Sequence, residues 1–106
     1  MKIVEVRSDR TNYMLSASRN REGDLLVSGS DMSPWVTERF STDEYEYFYV
    51  VKAPDVVAVC AALGATEDDL LDRLRALLAP HGTAASTQWK AWLTAQNIPF
   101  EFSVWR

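Results

Sequence analysis

Alternating hydrophobic and polar positions dominate the first half of the chain and predict β-strands. Residues 3–6 (Ile-Val-Glu-Val) indicate a first strand, and residues 13–18 alternate as a second. The sequence Asn-Arg-Glu-Gly-Asp at 20–24 predicts a tight turn, because Asn and Gly adopt positive φ at low cost. Residues 25–29 then return as a third strand and complete a hairpin. Gly29 in this strand indicates either a β-bulge or a close approach to the backbone.

The strongest strand signal lies at residues 45–52, where nearly every position is β-branched or aromatic. Apolar residues on both faces of its second half predict a central strand with one face under helices. The preceding segment, residues 31–43, is irregular. Within it, Ser33 as an N-cap and Pro34 at the first helical position predict a single helical turn over residues 33–38.

The second half of the chain changes to helical spacing and predicts three helices. Pro54 near the start and Gly64 past the end bound the first helix. Thr66 is the predicted N-cap of the second helix, whose leucines form one apolar stripe, and Pro80 is predicted to stop it. Ser86 is the predicted cap of the third helix. The leucine stripe consists of Leu70, Leu71, Leu74, Leu77 and Leu78.

Residues 98–105 alternate again and predict a last strand, which pairs either with the strand at 45–52 or with the first strand at a sheet edge. The predicted order is β-β-β-β-α-α-α-β. Strands grouped before helices are typical of an α+β domain. The sequence therefore predicts a single α+β domain over residues 1–106, with an antiparallel sheet of about five strands and helices packed on one face.

Composition agrees with one ordinary globular domain of 106 residues, since 47% are hydrophobic and 25% are charged. Cys60 is the only cysteine, which excludes a disulfide within the chain and favours a reducing compartment. The charged N-terminus lacks the apolar core of a signal peptide, and no apolar run reaches the length of a membrane span. We therefore expect a cytoplasmic protein that is not bound to a membrane. An acidic pI of about 4.9 disfavours nucleic acid as a partner.

Charge is sorted along the chain, with a net +3 over residues 1–21, −10 over residues 22–72 and +3 over residues 73–106. The acids at 67–72 begin the second predicted helix, where the positive end of the helix dipole explains them. When those acids and the turn acids are set aside, a smaller acidic group surrounds one tryptophan next to the tyrosine-rich strand. This predicted binding surface consists of Asp31, Trp35, Glu38, Asp43, Glu44 and Glu46.

The composition of the predicted binding surface fits a basic protein partner. Tryptophan and tyrosine are enriched at the energetic centres of protein interfaces, and an acidic rim accelerates the approach of a basic partner. The alternative is an ordinary solvated acidic loop, whose carboxylates pair with arginines of the first 21 residues across the sheet.

No residue pattern indicates catalysis, a cofactor or a metal. His81, the only histidine, lies in a Pro-His-Gly loop, and Cys60 is predicted to be a small buried hydrophobe in a helix. One cysteine and one histidine exclude the common zinc patterns, and the glycines form no phosphate-binding run. A weaker candidate for a catalytic site is a pair of carboxylates on neighbouring strands, Glu46 and Glu101. Aromatic strands can also stack bases, but their acidic neighbours disfavour RNA.

Three segments, residues 23–31, 45–50 and 97–102, resemble a family of small, largely uncharacterised bacterial proteins. They correspond to a turn, a central strand and the entry to the last strand, so they carry no active site that could be transferred. In size, acidity and lack of catalytic motifs the chain is also similar to immunity proteins of bacterial toxin systems. That resemblance implies a non-enzymatic inhibitor that binds a basic toxin.

These observations favour a non-enzymatic protein-binding module. The alternative is a small-molecule-binding domain or a small enzyme with a pocket between helices and sheet, which a cleft lined by His81 or by paired carboxylates would support. A third hypothesis is a homodimer built on an edge strand.

Overall fold

The computed structural model describes residues 1–7, 12–32 and 45–105. Within these ranges the chain forms five strands, three α-helices and one 3₁₀ helix. In chain order they are β1 (Lys2–Arg7), β2 (Asn12–Arg19), β3 (Leu25–Met32), β4 (Tyr45–Val51), α1 (Ala53–Leu63), α2 (Leu70–Leu78), the 3₁₀ helix (Ala79–Ala84), α3 (Ala85–Ala95) and β5 (Glu101–Trp105). The helical turn predicted at residues 33–38 lies outside the described residues.

The five strands form one antiparallel sheet in the order β1-β2-β3-β4-β5, and the helices connect β4 to β5. The predicted α+β class and the predicted order of elements are confirmed. Of the two positions predicted for the last strand, the pairing with β4 is correct, with Glu46 opposite Trp105 and Val50 opposite Glu101. β5 therefore lies at one edge of the sheet and β1 at the other.

The last strand begins three residues later than predicted, at Glu101. Asn97 adopts a left-handed conformation with a φ of 58° just after α3. The next N–H, that of Ile98, donates to the Leu93 carbonyl at 3.0 Å. Because Ile98 is also buried, it belongs to the exit of the helix and fills the core there. Pairing with β4 starts only after the chain has left this position.

The core lies between one face of the sheet and the helical layer. Along β2 the buried positions alternate with more exposed ones, as expected for a strand covered on one face. Leu15 and Val27 lie on this covered side, which we call the inner face; the opposite side is the outer face. Trp89 of α3 packs into the same core and is fully buried. The predicted leucine stripe of α2 also faces it, and its most buried members are Leu70, Leu74 and Leu78.

Local capping sets the ends of α1 and α2. Pro54 occupies the first turn of α1, and Gly64 follows the helix in a left-handed conformation with a φ of 65°, as predicted. Before α2, the Thr66 N–H donates to Asp69 Oδ1 at 2.7 Å, and the Asp69 N–H donates to Thr66 Oγ1 at 3.3 Å. These two hydrogen bonds close the turn before α2, but Asp69 and not Thr66 occupies the N-cap position, so the predicted N-cap lies three residues too early.

The end predicted for the second helix is correct, and the cap predicted for the third is wrong. α2 ends at Leu78, just before Pro80, which lies in the first turn of the 3₁₀ helix, where a missing N–H is tolerated. The 3₁₀ helix kinks at Gly82, whose φ is 55°. Ser86 does not cap α3, since Ala84 occupies the N-cap position and the Ser86 N–H donates to the Tyr13 hydroxyl of β2 at 3.2 Å. A partner from the sheet thus replaces the local cap.

Gly29 allows an aromatic ring to lie against the backbone of β3. It lies opposite Tyr47 of β4, and the register of β3 with both neighbouring strands is continuous. A Cβ atom at residue 29 would overlap the Tyr47 ring. Of the two roles predicted for Gly29, the close approach is therefore correct and the bulge is not. The Tyr47 side chain is buried and packs edge-on against Tyr49, so a shift of the ring would disturb this contact.

We expect Gly29→Ala to lower the free energy of unfolding by about 1–3 kcal/mol, the usual cost of overpacking a well-filled core. Urea denaturation followed by tryptophan fluorescence measures this change. Ser28→Ala is the matched control, because Ser28 is the neighbouring residue on the outer face and is only half-buried. The control should change stability by less than about 0.5 kcal/mol. Equal stability of Gly29→Ala and the parent protein would contradict the overlap.

Asp24 joins the β2–β3 turn to the start of α1. Its carboxylate accepts hydrogen bonds from the Asn20 side-chain amide at 3.0 Å and from the N–H of Ala53, the first residue of α1, at 2.8 Å. Lys52 Nζ lies 3.8 Å from the same carboxylate. These partners, the Asn20 amide above all, hold the pKa of the Asp24 carboxyl below its usual value although the residue is buried.

Asp24→Asn should lower the free energy of unfolding at neutral pH. Because folding lowers the carboxyl pKa, the stabilising contribution is present above the unfolded pKa and is lost as the pH falls through the folded value. The stability difference between the parent and the variant should therefore shrink below about pH 4. Urea titrations at several pH values measure it, with Asp68→Asn at an exposed position as the control. A difference that is the same at every pH would refute this role.

Candidate functional site

A shallow depression of about 170 Å³ lies on the outer face of the sheet. It spans β2, β3 and β4, whose register puts three serines beside two apolar side chains and one carboxylate. The side chains that line it are Met14, Ser16, Ser28, Ser30, Glu46 and Phe48. Because hydroxyl groups and a carboxylate accept hydrogen bonds, the depression can bind a hydrogen-bond donor or a cation.

Two of the six residues of the predicted binding surface lie in the described part of the chain. Asp31 and Glu46 occupy adjacent positions at the same end of the β3–β4 pair, since Asp31 lies opposite Tyr45 and Ser30 lies opposite Glu46. Side chains alternate between the faces of a strand, so Asp31 belongs to the inner face and Glu46 to the outer face. The structure thus brings them to one end of the sheet but not to one face. Outside the described residues lie Trp35, Glu38, Asp43 and Glu44.

Asp31 and Glu46 are both half-buried, and neither has an ion-pair partner in the part of the chain that the structure describes. Burial raises the pKa of the Asp31 carboxyl. Glu46 lies in the outer depression next to Phe48. Partial burial of a carboxylate is costly when it is not compensated, so each of these side chains would gain from an external cation.

The acidic residues around the start of α2 have local partners instead. Asp69 exchanges hydrogen bonds with Thr66 and lies 3.4 Å from Arg73. The Thr66 N–H above all, with Arg73, holds the pKa of the Asp69 carboxyl below its usual value. Asp72 lies 3.7 Å from Arg75. These positions agree with the prediction that the acids here belong to a helix start.

Two arginines of the first strands are engaged away from the predicted binding surface. Arg7 lies 3.3 Å from Glu5, and Arg19 lies 3.7 Å from Glu67. The alternative hypothesis requires ion pairs between these arginines and the acids of the predicted binding surface. Within residues 1–7, 12–32 and 45–105, the structure shows no such ion pair.

A second depression, of about 180 Å³, lies on the inner face between β4, β5 and the first turn of α3. Its lining consists of Tyr47, Tyr49, Ser86, Thr87 and Phe102. Phe102 contacts Tyr49 with ring centroids 4.8 Å apart, yet the residue is 49% exposed. Burial raises the pKa of the Tyr47 hydroxyl, which therefore stays protonated at neutral pH. Tyr47 and Tyr49 are therefore core residues, whereas Phe102 lies on the edge strand β5 and stays partly exposed.

Neither depression is lined by His81, by Cys60 or by a pair of carboxylates from the described residues. His81 is exposed in the 3₁₀ helix, and Cys60 is partly buried on α1, where burial raises the pKa of its thiol. Glu46 and Glu101 share the outer face but lie four strand positions apart, about 14 Å, farther than paired catalytic carboxylates. Glu101 lies 3.7 Å from Lys52 instead. Among the described residues, no three His, Cys, Asp or Glu side chains are grouped to hold a metal ion.

Comparison with protein-family models, with curated proteins and with solved structures gives no match to this chain. The resemblances to small bacterial proteins and to immunity proteins therefore stay predictions. None of the helices in the described ranges is long and apolar enough to cross a membrane. Fold and site together define an α+β domain with a helical layer on one face of its sheet, a partly exposed outer face and an aromatic depression beside one edge.

Proposed function

We propose that this protein is a non-enzymatic protein-binding module that docks a basic partner at the end of the sheet where β3 ends and β4 begins. The observation that carries the proposal is Glu46, which is half-buried in a serine-lined depression without an ion pair to any described residue. An arginine or lysine of the partner would supply the missing cation. Its N–H groups would also donate to the serine hydroxyls, giving hydrogen bonds strengthened by charge.

The position of Asp31 supports a partner that contacts both faces of the sheet at this end. Asp31 lies on the inner face and Glu46 on the outer face of the same strand pair. In sequence, the connection between them carries Trp35, Glu38, Asp43 and Glu44. We therefore assign all six residues to one binding surface, in which acidic groups attract the partner and Trp35 provides a large apolar contact.

A basic toxin is the partner class that this chemistry and the resemblance to immunity proteins favour. An inhibitor with a net charge of −4 would approach a basic protein faster than a neutral one would. In this proposal the protein acts in the bacterial cytoplasm. It would cover a basic surface of the toxin and would not catalyse a reaction.

A small-molecule-binding domain or small enzyme is the second candidate, because the inner-face depression gives it a location. The hydroxyls and rings there could orient a small ligand. Its volume of about 180 Å³ is, however, smaller than the roughly 300–1,000 Å³ of most ligand pockets. The protein-binding function is therefore better supported.

Replacing Glu38, Asp43, Glu44 and Glu46 together by lysine should abolish binding of the natural partner while the fold survives. The partner is captured from the source cells with the tagged parent protein, identified by mass spectrometry and purified. Calorimetry then measures its affinity for each variant. We expect a loss of at least about 100-fold, because reversing charges at an interface turns attraction into repulsion.

The control is a variant in which Glu22, Glu67, Asp68 and Asp72 are replaced by lysine. It makes the same change in net charge at exposed positions in the turn and around the start of α2. Its affinity should stay within about threefold of the parent, since distant surface charges are screened. Unchanged binding by the first variant, or equal losses in both, would refute the assigned surface. Circular dichroism verifies that both variants are folded.

A further inference from the structure

The two edges of the sheet differ in their protection against pairing with another strand. A sheet edge presents unpaired backbone N–H and C=O groups, and proteins usually protect it with charges, a bulge or a covering element. β1 has all three protections. Its register shifts between Lys2 and Val4, it carries the charged residues Lys2, Glu5 and Arg7, and α2 and the 3₁₀ helix pack beside it.

β5 has neither a bulge nor a row of charges. Its register with β4 is regular over all five residues, it contains no proline, and Glu101 is its only charged residue. Within the described ranges, no other strand pairs with the edge of β5 that points away from β4. β5 is therefore a regular template to which a further strand can be added.

The inner depression lies directly beside this edge. Phe102 points from β5 toward it, and half of this residue is exposed, with its ring against those of Tyr47 and Tyr49. The volume of about 180 Å³ is close to that of a cavity of roughly 150 Å³ that holds benzene. One branched aliphatic or aromatic side chain of an added strand would fit there and cover Phe102.

On the outer face of the sheet, β5 favours basic side chains in an added strand. Glu101 lies on the outer face with 68% of its side chain exposed, and Glu46 lies on the same face of β4. Lys52 is shared between Glu101, at 3.7 Å, and Asp24, at 3.8 Å. A lysine or arginine opposite Glu101 would form a favourable cross-strand pair. A second copy of this chain would instead bring together two proteins that each carry a net charge of −4.

We propose that β5 binds an extended segment of the basic partner by strand addition, with apolar side chains facing the inner depression and basic side chains facing Glu101. This inference rests on the proposed protein-binding function and specifies how the partner is held. Backbone hydrogen bonds along β5 would supply affinity, and the two sides of the strand would select alternating apolar and basic residues.

The test uses the end-blocked peptide Lys-Val-Lys-Val-Lys-Val-Lys, titrated into the isotope-labelled full chain and followed by nuclear magnetic resonance. We expect shifts at the amides of β5 and at Tyr47 and Tyr49. An analogue with proline at the central valine keeps the charge but cannot continue a ladder, so it should bind about tenfold more weakly. Phe102→Lys should weaken binding of the first peptide by a similar factor. Val57→Lys, the matched apolar-to-lysine change at an exposed position of α1, should not.

Equal binding of the two peptides, shifts confined to other elements, or no binding at about 1 mM peptide would overturn strand addition. Dimerisation through β5, detected as β5 amide shifts that change on dilution, would also overturn it, because a second copy would then occupy the edge. If Phe102→Lys fails to fold, the peptide pair on the parent protein still decides. If the peptides fail while the four-lysine variant still loses the natural partner, strand addition is wrong and the protein-binding function stands.

Discussion

The alternation of side chains along the strands is the constraint on which the rest of this structure depends. In an antiparallel sheet covered on one side, each step along a strand moves a side chain from the core to the opposite face. The helices fill one set of positions, and the serine-lined depression occupies the other. The same rule separates Asp31 from Glu46, although the two lie at one end of the same strand pair. A surface that includes both must therefore wrap around the end of the sheet.

The hydrogen bonds of Asp24 tie the start of the helical layer to the sheet. Its carboxylate accepts the N–H of Ala53, the first residue of α1, while it also closes the β2–β3 turn, so two segments distant in sequence are held together. From there the layer crosses to the far edge, where α2 and the 3₁₀ helix pack against β1. The aromatic residues beside β5 receive less cover, which explains why Phe102 is exposed on the inner face.

The acidic residues in the described ranges include two physically distinct groups. Some, such as Asp24 and Asp69, accept backbone hydrogen bonds and stabilise a turn or a helix start. Others, such as Asp31 and Glu46, are half-buried without a cation among the described residues. The first class explains stability and the second suggests a partner. The mild net charge of the whole chain conceals this distinction, which is why the candidate site depends on local geometry and not on composition.

The sequence by itself determined the α+β class, the order of the elements and the bounds of α1, because strand alternation, the leucine stripe and the positions of Pro54 and Gly64 act over a few neighbouring residues. The sequence could also separate the acids of the turn and the helix start from those of the predicted binding surface. It could not show that Asp31 and Glu46 lie on opposite faces of the sheet. Only the tertiary structure decided that β5 pairs with β4, that Tyr13 takes the place of a local cap at Ser86, and that Tyr47 lies over Gly29. These contacts join segments far apart in the chain, where pairing and packing override local preference.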